Sequence, residues 1–255
     1  MGCAIPAYPK ILGSPLNSSF QVCIMWTKKL SVNRLGDSNA QKTRPLEPKR
    51  RRLYGEKISV EELSRELGVS RTPLWSAINR LEAEGIVEIA PRLGVYLIEY
   101  DPERVLDIYL AREALEGMAA RLAAEKITDR QLALLRANVA QQHTFLEQEE
   151  VEGYYTIAVD FHEQLVRAAQ SVTLERLLAS IFAQIRAMRV QRKSSPPMHL
   201  PQSCDDHDKL LAALEKKDPD LAEQVMRAHI RDLTAQIRQE VVRSPQPRNK
   251  RIAML

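Results

Sequence analysis

A chain of 255 residues with 44% hydrophobic and 27% charged positions holds enough apolar material for two modest cores plus tails. No apolar run approaches the roughly 20 residues of a spanning helix, which speaks against a membrane protein. Cys3, Cys23 and Cys204 are scattered and unpaired in spacing, which argues against a disulfide framework or a thiolate zinc site and suits a reducing cytoplasm.

The net charge of +4 is unevenly placed: through Lys57 there are eleven Lys/Arg against three Asp/Glu, so the amino-terminal end is where a polyanion would bind. Residues 1–45 mix Pro, Gly, Ser and Asn without a sustained period and read as a poorly ordered basic lead-in. The basic run Lys49 to Arg52 then leads into Tyr54-Gly55-Glu56-Lys57, which reads as a turn-like stretch.

Periodicity begins after Ile58. Ser59 can cap a helix with Glu62 three residues on, and Leu63 and Leu67 follow at helical spacing, so Val60 to Leu67 is expected to be helical. Gly68 stops that helix, Ser70 can cap the next, and Pro73 falls in its first turn, where a missing N–H costs nothing. The second helix is expected over Arg71 to Glu84. Ile86 to Ile89, the turn Pro91-Arg92-Leu93-Gly94 and Val95 to Ile98 then read as strand, turn, strand. Two helices joined through a glycine and followed by a hairpin make a winged helix-turn-helix over residues 46–100.

Beyond Asp101-Pro102 the pattern turns to amphipathic helices alone. Leu106, Leu110, Ala114, Leu115, Met118 and Leu122 mark one apolar stripe, and Leu132, Leu135 and Val139 mark a second. Further helices are expected from Gly153 to Ala169, from Thr173 to Gln191, from Ser203 to Lys216 and from Pro219 to Val241, with a proline-rich loop at Ser194 to Pro201. The fold class is therefore mainly α: a winged helix-turn-helix with a small β-hairpin wing, then an all-α six-helix bundle over residues 101–241 and a tail over 242–255.

The run from Glu61 to Pro73, with Asn79-Arg80-Leu81-Glu82-Ala83-Glu84-Gly85 after it, resembles the DNA-binding domain of GntR-family regulators. The segment Leu110 to Gly117, the Phe161-His162 pair, and His207 preceding His229 resemble the FCD effector domain of the FadR subfamily. The resemblance implies a homodimeric, ligand-responsive transcription regulator bound to a near-palindromic DNA operator. On that reading Ser70, Arg71 and Thr72 enter the major groove, Trp75 lies on the same helix, and Arg80, Arg92 and Gly94 face the DNA backbone, the last two from the wing. Without the family, Arg80 and Arg92 read more readily as solvated surface arginines. Trp75-Ser76 stands where relatives carry Arg-Glu, so the preferred operator is expected to differ. Pro45 and Pro48 interrupt the helix that relatives place before the Gly-Glu-Lys stretch, each at a cost of about 3 kcal/mol in a helix interior.

The resemblance also implies that His162, His207 and His229 hold a divalent metal ion such as zinc, nickel or manganese. Ala158 stands where metal-binding relatives commonly place an Asp or Asn one turn before the first histidine, and Asp160 points about 160° away from His162 on a helix. Arg112 matches the family's arginine for a small carboxylate effector, with Arg186 and Arg189 as further candidates; the plain alternative for Arg112 is a helix-surface pair with Glu116. Two other functions stay open on the residues: a ligand-binding helical protein with a degenerate DNA head, and a metal-dependent enzyme, which would need a nucleophile or paired carboxylates that the pattern does not supply.

Overall fold

The computed structural model describes residues 54–191 and 199–243. The basic lead-in with Pro45, Pro48 and the run Lys49 to Arg52, most of the proline-rich loop, and the tail beyond Arg243 lie outside the described residues. The chain divides into two compact units between Ile98 and Glu99.

In the first unit, β1 (Tyr54–Ile58) precedes α1 (Val60–Leu67), α2 (Arg71–Ala83), β2 (Val87–Ala90) and β3 (Gly94–Ile98). Ser59 caps α1 by accepting from the Glu62 N–H at 3.3 Å, and Gly68 ends it in the left-handed region at φ 63°, which lets the Val69 N–H reach the Ser64 carbonyl. Leu63, Leu74, Ile78 and Leu81 bury the inner faces of the two helices in a core shared with Ile86, Val87, Val95 and Leu97.

The expected turn at Tyr54 to Lys57 is a strand instead. A two-stranded hairpin leaves one edge of β3 with unpaired N–H and C=O groups, and β1 takes that edge, giving an antiparallel sheet of order β1-β3-β2. Gly55 makes the approach feasible: a Cβ there would stand 3.2 Å from the Leu97 carbonyl oxygen. Strand β2 starts one residue later than expected, because the Ile86 N–H closes the end of α2 on the Leu81 carbonyl. Between β2 and β3 the wing turns through Arg92 at φ 63° and Gly94 at φ 120°.

The second unit is helical throughout its described residues: α3 (Pro102–Lys126), α4 (Asp129–Glu147), α5 (Val151–Ala168), α6 (Val172–Gln191), α7 (Leu200–Glu215) and α8 (Pro219–Arg243). Asp101 caps α3 with Pro102 in its first turn, and a reciprocal Thr128–Gln131 box opens α4. Helix α7 starts three residues before the expected Ser203, since Pro201 sits in its first turn, where proline removes no helical hydrogen bond.

The stripe expected on α3 is not its core face. Leu110 and Met118 are exposed, and Leu106, Leu115 and Leu122 only half-buried. The buried face instead carries Val105, Ile108, Tyr109, Arg112, Glu116, Ala119, Ala120, Ala123 and Ala124. Its alanines are small enough for α3 to lie close along α8, where Ala222, Met226 and Ile230 are fully buried. That leaves Arg112 and Glu116 inside the bundle.

Candidate DNA interface and sensor site

On the first unit, Ser70, Arg71, Thr72, Trp75 and Arg80 are all exposed along α2, whose buried residues are Leu74, Ile78 and Leu81. The Ser70 side chain makes no capping hydrogen bond, so its hydroxyl and the first amides of α2 face solvent at the positive end of the helix dipole. Arg71 forms an exposed ion pair with Glu61 across the two helices, a contact that solvent screens and a phosphate can replace. Arg80 pairs with Glu84 one turn on at 3.1 Å, which makes it the more structural of the two arginines. Arg92 is exposed at the wing tip, and Gly94 sits behind it in a backbone conformation that side chains rarely adopt.

On the second unit, His162 from α5, His207 from α7 and His229 from α8 converge. All three are buried, and one ring nitrogen from each lies within 4.8 Å of the others. The Nε2 atoms of His162 and His207 stand 3.3 Å apart. Each histidine turns its other nitrogen to an acceptor: His162 Nδ1 lies 2.5 Å from Glu116 Oε2, His207 Nδ1 lies 2.7 Å from Gln142 Oε1, and His229 Nδ1 lies 3.4 Å from Asp206 Oδ2.

The orientation of Gln142 is itself fixed by a row of amides. Asn138 Nδ2 donates to the Ile157 carbonyl at 3.1 Å, Gln142 Nε2 donates to Asn138 Oδ1 at 2.8 Å, and Gln142 Oε1 is left to accept from His207. His207 therefore carries its proton on Nδ1 and a lone pair on Nε2. Asp206 favours the same tautomer for His229, while His162 Nδ1 stands against the Glu116 carboxylate as an ion-pair contact that lacks hydrogen-bond geometry. The remaining nitrogens of the three rings face one another, and among the described residues His229 Nε2 has no hydrogen-bond partner. The residues present fit a divalent metal, which would be held by three imidazoles with carboxylate and amide partners behind them.

Charge is managed in the same place. Arg112 and Glu116 form a buried ion pair, not the surface pair that i, i+4 spacing also allowed. Burial by itself would raise the Glu116 pKa, but the Arg112 guanidinium and His162 outweigh it and bring it down to about 2. Asp206, also buried, is likewise drawn down to about 2 by His229 and Lys209. Burial, partly countered by Glu116, lowers His162 to about 4, and it lowers His207 well below its ordinary value. Both rings are neutral near pH 7, the form that ligates metal.

Arg186 and Arg189 are placed differently from Arg112. Arg186 pairs with Glu163 at 2.7 Å and Asp160 at 3.6 Å, while Arg189 pairs with Glu152 at 3.0 Å and lies 3.7 Å over the Tyr155 ring. These contacts hold α6 against α5, whereas Arg112 pairs with the carboxylate behind His162.

Residues 50–97 match the model of bacterial regulatory proteins of the gntR family, and residues 107–232 match the FCD domain. The chain is 30% identical over 189 residues to the HTH-type transcriptional repressor RspR of Escherichia coli, covering 72% of this chain and 81% of that one. The chain belongs to the GntR family. A further relative, the Nta operon transcriptional regulator of Aminobacter aminovorans, is 34% identical over 152 residues, covering 57% of this chain and 71% of that protein. Among solved structures, E. coli McbR/YncC superposes with a TM-score of 0.67 at 20% identity over 88% of this chain and 99% of that chain, a likeness of fold. The chain is thus a DNA-binding transcriptional regulator with an FCD domain, and its families and relatives are regulators, not enzymes. No helix among the described residues is long and apolar enough to cross a membrane.

In this GntR regulator Glu116, Gln142 and Asp206 stand behind the three histidines, a placement that sequence reasoning missed. Two of them had a signal. Glu116 lies one turn from Arg112, and Asp206 directly precedes His207, whereas Gln142 sits 65 residues from the ring it holds and nothing local marks it.

Proposed function

We propose that this GntR regulator is a metal-containing sensor that binds an inverted-repeat operator as a homodimer and responds to a small carboxylate. The observation that carries the sensor reading is the convergence of three buried histidine nitrogens, one from each of α5, α7 and α8, within 4.8 Å of one another. His162, His207 and His229 would hold a divalent ion such as zinc, nickel or manganese, and the bound ion would offer an electrophilic centre to an anionic oxygen. Ala158, where relatives commonly carry a carboxylate or amide, adds no oxygen donor, which leaves room for an exogenous one.

Arg112 supports the anionic character of that ligand. Its guanidinium is buried and shares Glu116 with His162, so a carboxylate arriving beside the histidines meets a fixed cation. The exposed faces of α2 and the wing support DNA binding through Ser70, Arg71, Thr72, Trp75 and Arg92, with Gly94 shaping the wing. Leu110 and Met118 on α3 and Leu177 on α6 are exposed apolar residues that suit a second copy of the chain. RspR and the probable D-xylose utilization operon regulator of Paenarthrobacter nicotinovorans are described as repressors, which favours repression here.

The test is selection of bound fragments from sheared genomic DNA with the purified chain, with and without zinc. Recovery of a short inverted repeat, in an amount that responds to zinc, is the expected result. A repeat recovered equally with and without zinc would separate DNA binding from the metal. Recovery of nothing above background would mean a sensor whose DNA head has lost its function.

A further inference from the structure

Helices α4 and α7 cross beside the three-histidine site, and one residue further along each of them a second set of ligating groups comes together. Gln142 holds His207 at this crossing; the next residues, His143 and Asp208, meet through His143 Nε2 and Asp208 Oδ2 at 2.8 Å. One turn before Asp208, on the same face of α7, lies Cys204. Its sulfur, the His143 nitrogen and the Asp208 oxygen all lie within 4.8 Å of one another. Cys204 is fully buried against Tyr154, Ala158 and Leu200, while His143 and Asp208 are each about half exposed.

We propose that His143, Cys204 and Asp208 form a second metal site, selective for a borderline divalent ion of the zinc and cobalt class. The donor set carries the choice of metal. Thiolate and imidazole favour such ions over magnesium or calcium, which take oxygen ligands. A thiolate and a carboxylate together neutralise two positive charges, and the half-exposed His143 and Asp208 leave water a way in to complete the coordination.

Binding exchanges a proton for the metal: the Cys204 S–H bond breaks, the sulfur lone pair forms the bond to the ion, and one proton leaves to solvent, with no change of oxidation state. Burial holds the uncoordinated thiol at about 12, so it stays protonated and inert until a cation takes its sulfur. Spacing along the sequence hid this site, since Cys204 has no neighbouring cysteine and its partner histidine lies on another helix.

The experiment is a Co2+ titration of the full reduced chain, followed in the near ultraviolet, where thiolate-to-cobalt charge transfer absorbs and the three-histidine site, which has no sulfur, does not. The expected result is a saturable thiolate band that Cys204→Ser removes and the double change Cys3→Ser, Cys23→Ser preserves. His143→Ala and Asp208→Asn alter half-exposed side chains, so the fold tolerates them, and each should weaken the Co2+ affinity read from the band at least about tenfold, the lower range for losing even an outer partner of a metal site. Absence of the band, its survival in Cys204→Ser, or unchanged affinity in both surface variants would overturn the proposal. Sulfur-independent cobalt absorption reports the three-histidine site separately, so the two sites stand or fall apart.

Discussion

Glu116 touches the Arg112 guanidinium with one oxygen and the His162 ring with the other, in full burial, so its two neighbours compete for one charge. Replacing it by glutamine keeps the shape but removes the charge that makes His162 a good donor, and the metal affinity of the three-histidine site should fall about 10- to 100-fold in a competition titration. Replacing it by alanine strands Arg112 as a buried unpaired cation and should cost about 3–5 kcal/mol, read as a lower urea midpoint. Protonation argues along the same line. His162 and His207 titrate lower in the folded chain than in the unfolded one, so folding favours their neutral forms. Their contribution is complete above the unfolded value of 6.5 and is lost as the pH falls through the window down to about 4. The urea midpoint of the metal-free chain should therefore drop between pH 7 and pH 4; a flat profile would contradict buried neutral rings. At this scale the sequence made the three histidines legible but not what stands behind them. Arg112 and Glu116 look the same in sequence whether they lie on a helix surface or inside a bundle, and only the packing of α3 on α8 decides between them.

At the scale of elements, α2 and the wing are the proposed DNA-facing parts. Arg71 stands in the first turn of α2, exposed and held only by a screened pair with Glu61. Arg71→Ala should weaken operator binding, and salt dependence tells how: a lost phosphate contact lowers the salt slope by about 1 for all sequences, whereas a lost guanine contact costs about 1–3 kcal/mol and relaxes one operator position. In the wing, Gly94→Ala would force a side chain into a conformation at φ 120°, with strain of about 1–3 kcal/mol, while the facing Lys57 side chain can move aside. A lowered melting temperature with α2 intact is the expected outcome. Helices were legible wherever a cap and an apolar period agreed, as at Ser59 with Leu63 and Leu67. Strand β1 was not, because Tyr54 to Lys57 has little apolar alternation and is a strand through what β3 leaves unpaired. The stripe of α3 misled for a related reason: the most apolar side of that helix carries Leu110 and Met118, and the side it buries is made of alanines and an ion pair.

For the molecule as a whole, metal in the second unit should appear as stability. An ion that binds only the folded chain, supplied at about 100 times its dissociation constant, adds about 2.7 kcal/mol, so zinc should raise the midpoint of the second unit's unfolding and a chelator should reverse it. The amide row behind His207 bears on how such an ion arrives. It runs from α5 through α4 to α7, and every member donates in the same direction, from His207 to Gln142, to Asn138, to the Ile157 carbonyl. A backbone carbonyl can only accept, so the row has one polarity. Turning the His207 ring over would mean turning two side-chain amides with it, against an end that cannot reverse. The ring is thereby kept cocked, and an ion entering the proposed site would find its seat set in advance, with the speed of capture left to the route inward and not to any rearrangement at the seat.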